Sequence, residues 1–163
     1  MKSLNNKKGY SSVNVVVCVL IILSCFSLLI EMTALGKKYV YMPETATYIS
    51  RTLAHQGGIT TSTPDGYPDP STYISSRSLY QKLSNQFSEE GFSSWALYIN
   101  ERRFTNFTSI EVSEKGQIHV RLEGTLRPQF RSLWKNKQDV TIIAKRTVFS
   151  SFTPRKGDVL IVK

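Results

Sequence analysis

Eighteen consecutive residues, Val13 to Ile30, carry no charge, and a short basic head with Lys2, Lys7 and Lys8 precedes them. As a helix rising about 1.5 Å per residue this run is about 27 Å long, close to the roughly 30 Å hydrocarbon thickness of a bilayer. Val, Ile and Leu dominate it; the polar exceptions are Asn14 at its entrance and Ser24 and Ser27, whose hydroxyls can bond back to a helical carbonyl. The expected element is one membrane-spanning helix. Lys2, Lys7, Lys8 and the terminal amine outweigh Lys37 and Lys38 on the far side, where Glu31 offsets part of the charge, so the N-terminus is expected in the cytoplasm. A cleaved secretory signal is a competing reading, with Ala34-Leu35-Gly36 as a tolerable site. The run is longer than the roughly 7 to 15 apolar residues such signals use, and Glu31 intervenes. A lipoprotein signal at Ile22-Leu23-Ser24-Cys25 is disfavoured by the bulky Leu23 and by the apolar residues that follow. So few polar members also argue against a buried helix of a soluble protein.

The 163-residue chain leaves room for one further domain and no second one. From Glu31 onward it holds eighteen of the twenty-one Lys and Arg and all twelve acids, a net charge of +6. Such an exterior favours contact with anionic head groups, anionic wall polymers or nucleic acid, and an ordinary solvated basic surface is an equal reading. Cys18 and Cys25 both lie inside the apolar run, so the remainder is expected to hold no disulfide framework or thiolate metal site. An exported domain without disulfides points towards a Gram-positive cell surface.

Leu28, Met32, Leu35, Tyr39, Met42, Ala46, Ile49 and Leu53 are spaced alternately four and three residues apart, a heptad seam that extends the helix beyond the membrane. Gly36 and Pro43 interrupt it, with a kink expected at the proline, and Gly57-Gly58 is the expected stop. The seam has two readings: it packs on the chain's own domain, or it packs on neighbouring copies. Residues 57–75 read as a loop rich in Thr, Pro, Asp and Gly. A short amphipathic helix capped by Ser75 or Ser76 follows, with Leu79, Leu83 and Phe87 on one face. Strands are expected at 95–99, 108–112, 118–122, 140–149 and 158–162, the second and third joined as a hairpin through Glu114-Lys115-Gly116. The expected division is therefore a basic leader at 1–9, a transmembrane helix and stalk at 10–56, a loop at 57–75, and an α+β domain at 76–163 built on a small antiparallel sheet.

Chemistry is poorly provided for. Two histidines, His55 and His119, have no spaced partner ligands, no phosphate-cradling glycine loop is present, and Glu89-Glu90 read as a solvated helix end. No enzymatic activity, metal or cofactor is expected. Lys156-Gly157-Asp158 followed by an apolar strand echoes signal-peptidase-like serine proteases, but the Ser-Met pair carrying their nucleophile does not occur. Arg127, Arg131, Lys135 and Lys137, interleaved with Phe130, Leu133 and Trp134, form a basic surface segment expected to be solvated or near the membrane, with no specific nucleic-acid binding.

The head of the chain resembles the N-terminus of a class III, type IV-like prepilin. In that family a basic leader ends in Gly, cleavage follows that Gly, and a long apolar helix serves first as anchor and then as filament core. Lys7-Lys8-Gly9 would be the leader and Tyr10 the first mature residue; where the family usually carries Glu at the fifth mature position, this chain has Asn14. A neutral amide can hydrogen-bond but cannot neutralise a buried ammonium. The whole layout is similar to the TadE-like pseudopilins and to the DUF4320-type family of small Firmicutes proteins. The resemblance implies a minor pilin or pseudopilin of a Tad-type pilus or secretion filament. It also implies sister subunits, a prepilin peptidase and a pilus assembly platform as partners. The alternative is a permanently anchored single-pass protein whose exterior domain binds a component of a secretion or conjugation apparatus.

Overall fold

The structure, a computed structural model, describes residues 4–64, 67, 69–127 and 139–152, with side chains from Ser12 onward. One helix, α1 (Leu4–Gln56), runs without a break through Gly36 and Pro43. Proline removes a single N–H and with it one intrahelical bond. Here the flanking turns are held by burial, since Met42 and Ala46 on either side of Pro43 are wholly inaccessible, and the Thr47 hydroxyl donates to the Pro43 carbonyl at 2.7 Å. The helix ends where expected: Gly57 adopts φ +72°, the left-handed conformation that closes a helix.

Beyond that stop the chain is α+β. β1 (Gly58–Ile59) leads into a segment that carries a 3-10 turn at Pro70–Thr72, and α2 (Ser76–Glu89) follows. Ser75 caps α2 by accepting from the Ser78 N–H at 3.3 Å, and Leu79, Leu83 and Phe87 form its buried face, as the spacing predicts. Then come β2 (Ser94–Ile99), β3 (Arg102–Arg103), β4 (Ile110–Glu111), β5 (Gln117–Leu126) and β6 (Val140–Phe149). The main sheet is antiparallel in the order β3-β2-β5-β6, while β1 and β4 form a separate two-stranded ribbon.

Two expectations are corrected. The segment 57–75 is not all loop, because Gly58 and Ile59 pair with Glu111 and Ile110. The hairpin between 108–112 and 118–122 does not form. Its turn is present, with Lys115 at φ +60° and the Gly116 N–H on the Ser113 carbonyl, but Lys115 and Gly116 exchange backbone bonds with Ser150 at the end of β6. β5 instead lies between β2 and β6, since only there can its alternating Ile118, Val120, Leu122 and Leu126 all be buried. A tight hairpin the sequence reading missed joins β2 to β3 through Asn100 and Glu101, both at positive φ, the twist that two-residue hairpins require. The expected strand at 158–162 lies outside the described residues.

The core sits between the outer half of α1, α2 and one face of the main sheet, and includes Met42, Ile49, Leu53, Leu79, Phe87 and Leu122. Each such side chain contributes about 1.5–3 kcal/mol by leaving water. Phe87 stacks on Trp95 and meets Phe92 and Tyr41 edge-on, an aromatic cluster that closes the end of the core nearer the start of α1.

Candidate functional site: the uncovered half of the long helix

α1 divides sharply. From Val13 through Ile30 its side chains are exposed apart from one half-exposed position, Ser27, and the helix is long and apolar enough to cross a membrane, with none of its most apolar window buried. Val13, Ile21, Ile22 and Leu23 are each more than half exposed on different sides of the axis. Large aliphatic surface left bare all round a helix matches lipid as its surroundings. The polar groups in this stretch are satisfied locally, as for Ser24, whose hydroxyl donates to the Leu20 carbonyl at 2.8 Å. Gly9 and Tyr10 fall on the helix backbone, the Tyr10 side chain lying outside the described residues; Asn14 is exposed, one turn further on.

The predicted seam splits between its two readings. Met42, Ala46, Ile49 and Leu53 are at most 1% exposed, sealed against the chain's own sheet and α2, so these four are corrected from an intermolecular surface to an intramolecular core. The physical reason is reach: the sheet lies along the last four turns of α1, and a heptad stripe packs on whichever apolar face arrives first in the same chain. Leu35 is transitional, half-buried against the core edge. Leu28, Met32 and Tyr39 remain exposed, as does Val40 beside them, so the part of the seam available to another molecule lies at and below residue 40.

Where helix and head meet, an open cleft of about 480 Å³ is lined by Ile30, Glu31, Ala34, Lys38, Glu90 and Arg127, among others. Its cations are occupied. Lys38 pairs with the Glu90 carboxylate at 3.5 Å, also donates to the Glu90 carbonyl, and lies 5.2 Å from the Phe92 ring centre. Arg127, the only member of the predicted basic segment among the described residues, pairs with Asp139 at 3.5 Å; Arg131, Lys135 and Lys137 lie outside them. The two histidines are far apart in role as well as in sequence. His55 approaches the Ser151 hydroxyl at 3.5 Å at the helix end, and His119 bonds Thr147 across the sheet at 3.0 Å. Among the described residues no group of three metal-ligating side chains converges.

Burial shifts two phenols. Desolvation in the aromatic cluster pushes Tyr41 above the ordinary tyrosine range, opposed by the Thr45 hydroxyl and reinforced by Glu90 and Glu89. Desolvation also raises Tyr67, with Tyr73 and Asp69 adding to it. Burial is the leading cause of both rises, which mark packing at the two ends of the head.

Compared with protein-family models, with curated proteins and with solved structures, the chain finds no match in any of the three.

Proposed function

We infer that this chain is a membrane-anchored, pilin-like structural subunit, a minor pilin or pseudopilin of a Tad or type IV-like pilus or secretion filament. The observation that carries the reading is the division of one continuous helix: its outer turns are the core of an α+β head, while its inner turns are bare apolar surface. A rigid rod of this kind transmits the position of the anchor to the head without a hinge. In lipid the inner turns meet acyl chains; in a filament sister helices replace them with equivalent apolar contacts, so extraction costs little in solvation. Leu28, Met32, Tyr39 and Val40 are the side chains that would meet a sister helix outside the head. The N-terminus lies in the cytoplasm on this reading, the head lies outside, and a prepilin peptidase cuts between Gly9 and Tyr10.

Asn14 favours a second reading. With Asn in place of a carboxylate, a free amine released at Tyr10 has no anion to meet in an apolar core. A permanently anchored single-pass protein whose head binds a component of a secretion or conjugation apparatus needs no such pairing. Intact mass of the membrane-extracted protein separates the two: loss of residues 1–9 supports processing and assembly. A retained leader supports the fixed anchor, and trimming near Gly36 sinks both. Substituting Gly9 should abolish filament incorporation on the first reading and leave the second untouched.

A further inference from the structure

The face of the main sheet turned away from α1 is open, with Gln117, His119, Arg121, Lys145 and Thr147 all exposed on it. Strand register sets Arg103 opposite Tyr98, Tyr98 opposite Arg121, and Arg121 opposite Lys145. Directly opposed residues in antiparallel strands share a face, so these four form one rung across all four strands. Three of the four are cations. Glu123 accepts from Arg121 and compensates part of its charge, and the Arg121 guanidinium sits 4.9 Å from the centre of the Tyr98 ring. Arg103 and Lys145 have no carboxylate within ion-pair distance among the described residues. Like charges set directly opposite each other, as Arg121 and Lys145 are, destabilise a sheet. Glu123 offsets part of that repulsion, whereas Arg103 and Lys145 keep uncompensated charge that an anion laid across the row would meet.

We propose that this rung grips a linear phosphodiester polymer without bases, a polyol phosphate, outside the cell. The row spans three inter-strand steps, about 14 Å, which a single phosphate cannot bridge but a repeating polyanion can. Guanidinium groups suit phosphate oxygens, which they engage in pairs. Membrane lipid is out of reach of this face. Arg146, adjacent to Lys145, donates to Thr47 at 3.1 Å, and Thr47 lies seventeen residues beyond Ile30, about 25 Å along an upright helix. Attraction to lipid charge fades within a Debye length of about 8–10 Å. Nucleic acid is poorly served as well. Stacking needs free rings, the Tyr98 ring is already engaged by Arg121, and exposed Phe149 stands four residues from Lys145, about 13 Å along the strand. The inference needs only a folded, exported head, and stands apart from whether the helices assemble.

Full-length protein in neutral-lipid nanodiscs, titrated with poly(glycerol phosphate) at several salt concentrations, tests it. Binding is expected to weaken with salt at a log–log slope between about −1.4 and −2, Arg103 and Lys145 releasing roughly 0.7 counterion each and the Glu123-paired Arg121 at most as much. Arg103→Ser combined with Lys145→Thr should lower the affinity about ten-fold and flatten the slope by about one or more, while the unfolding midpoint holds or rises as the repulsion is removed. The charge-matched pair Arg51→Ser with Arg77→Ser, off this face, should change affinity by less than about three-fold. Equal losses from both pairs, or no binding at all, would overturn the assignment. So would tighter binding of oligo(dT), or rung-dependent binding to phosphatidylglycerol vesicles, which would hand the face to nucleic acid or to lipid.

Discussion

Gly124 shows how closely the head is packed at the level of one residue. A Cβ there would lie 2.6 Å from the Phe92 ring and 3.1 Å from the Met42 sulfur, so the strand can approach α1 only because that position has no side chain. Gly124→Val should cost about 1–3 kcal/mol, read as a fall in the urea midpoint of the full chain in micelles. Gly58 is constrained by backbone instead: at φ +130° its Cβ would meet the Ile110 carbonyl, which is why the ribbon between β1 and β4 tolerates only glycine there. The raised phenols supply a pH prediction. In the unfolded chain Tyr41 and Tyr67 ionise near pH 10, earlier than in the folded chain, where burial holds the proton. Their contribution is present below pH 10 and is lost as pH rises through the folded values. Stability measured at pH 9 and pH 11 should therefore fall less in Tyr41→Phe and Tyr67→Phe than in the parent, and an unchanged difference would refute the burial argument.

Within the elements, α1 is where local sequence and tertiary context meet most visibly. The stripe spaced four and three runs unchanged from Leu28 to Leu53, yet its two halves differ in what covers them. Ile49→Ala should cost about 2–5 kcal/mol, because the side chain is fully enclosed, whereas Met32→Ala should leave the unfolding midpoint within experimental scatter. The reverse outcome would mean that the head packs elsewhere on the helix. β6 is the other instructive element. It is ten residues long and lies at a sheet edge, where an exposed strand invites unwanted pairing. Lys145 and Arg146 in its middle place charge along that edge, and Arg146 is turned to Thr47 on the helix side.

For the whole molecule, anchor and head are one helix with two environments, and they should be separable by mutation. Val17→Arg with Ile22→Arg adds about 5–7 kcal/mol to the cost of membrane insertion. The double variant should therefore shift into the alkali-extractable fraction. Neither residue touches the head, so the unfolding midpoint in micelles should not move. A variant that stays in the membrane pellet would argue against lipid as the surroundings of residues 13–30.

The continuation of α1 beyond the apolar run, its stop at Gly57, the cap and inner face of α2, and the strands at 95–99, 118–122 and 140–149 were legible from the sequence; the start of α1 at Leu4, inside the segment read as a leader at 1–9, was not. Each depends on a local pattern: an uncharged run, a glycine after a periodic stripe, Ser75 ahead of Leu79, or strict alternation. Strand partners were not legible. Ile110 and Glu111 alternate like any hairpin arm, and nothing in their own residues states that Gly58 and Ile59, more than fifty positions earlier, will take them. The cationic rung was invisible for the same reason, because Arg103, Arg121 and Lys145 are scattered along the chain until register aligns them. The sequence by itself determined what is charged, what is apolar and with what period, since those properties belong to neighbouring residues. Only the tertiary structure decided which apolar stripe is core and which is bare, because burial is settled by the arrival of distant segments.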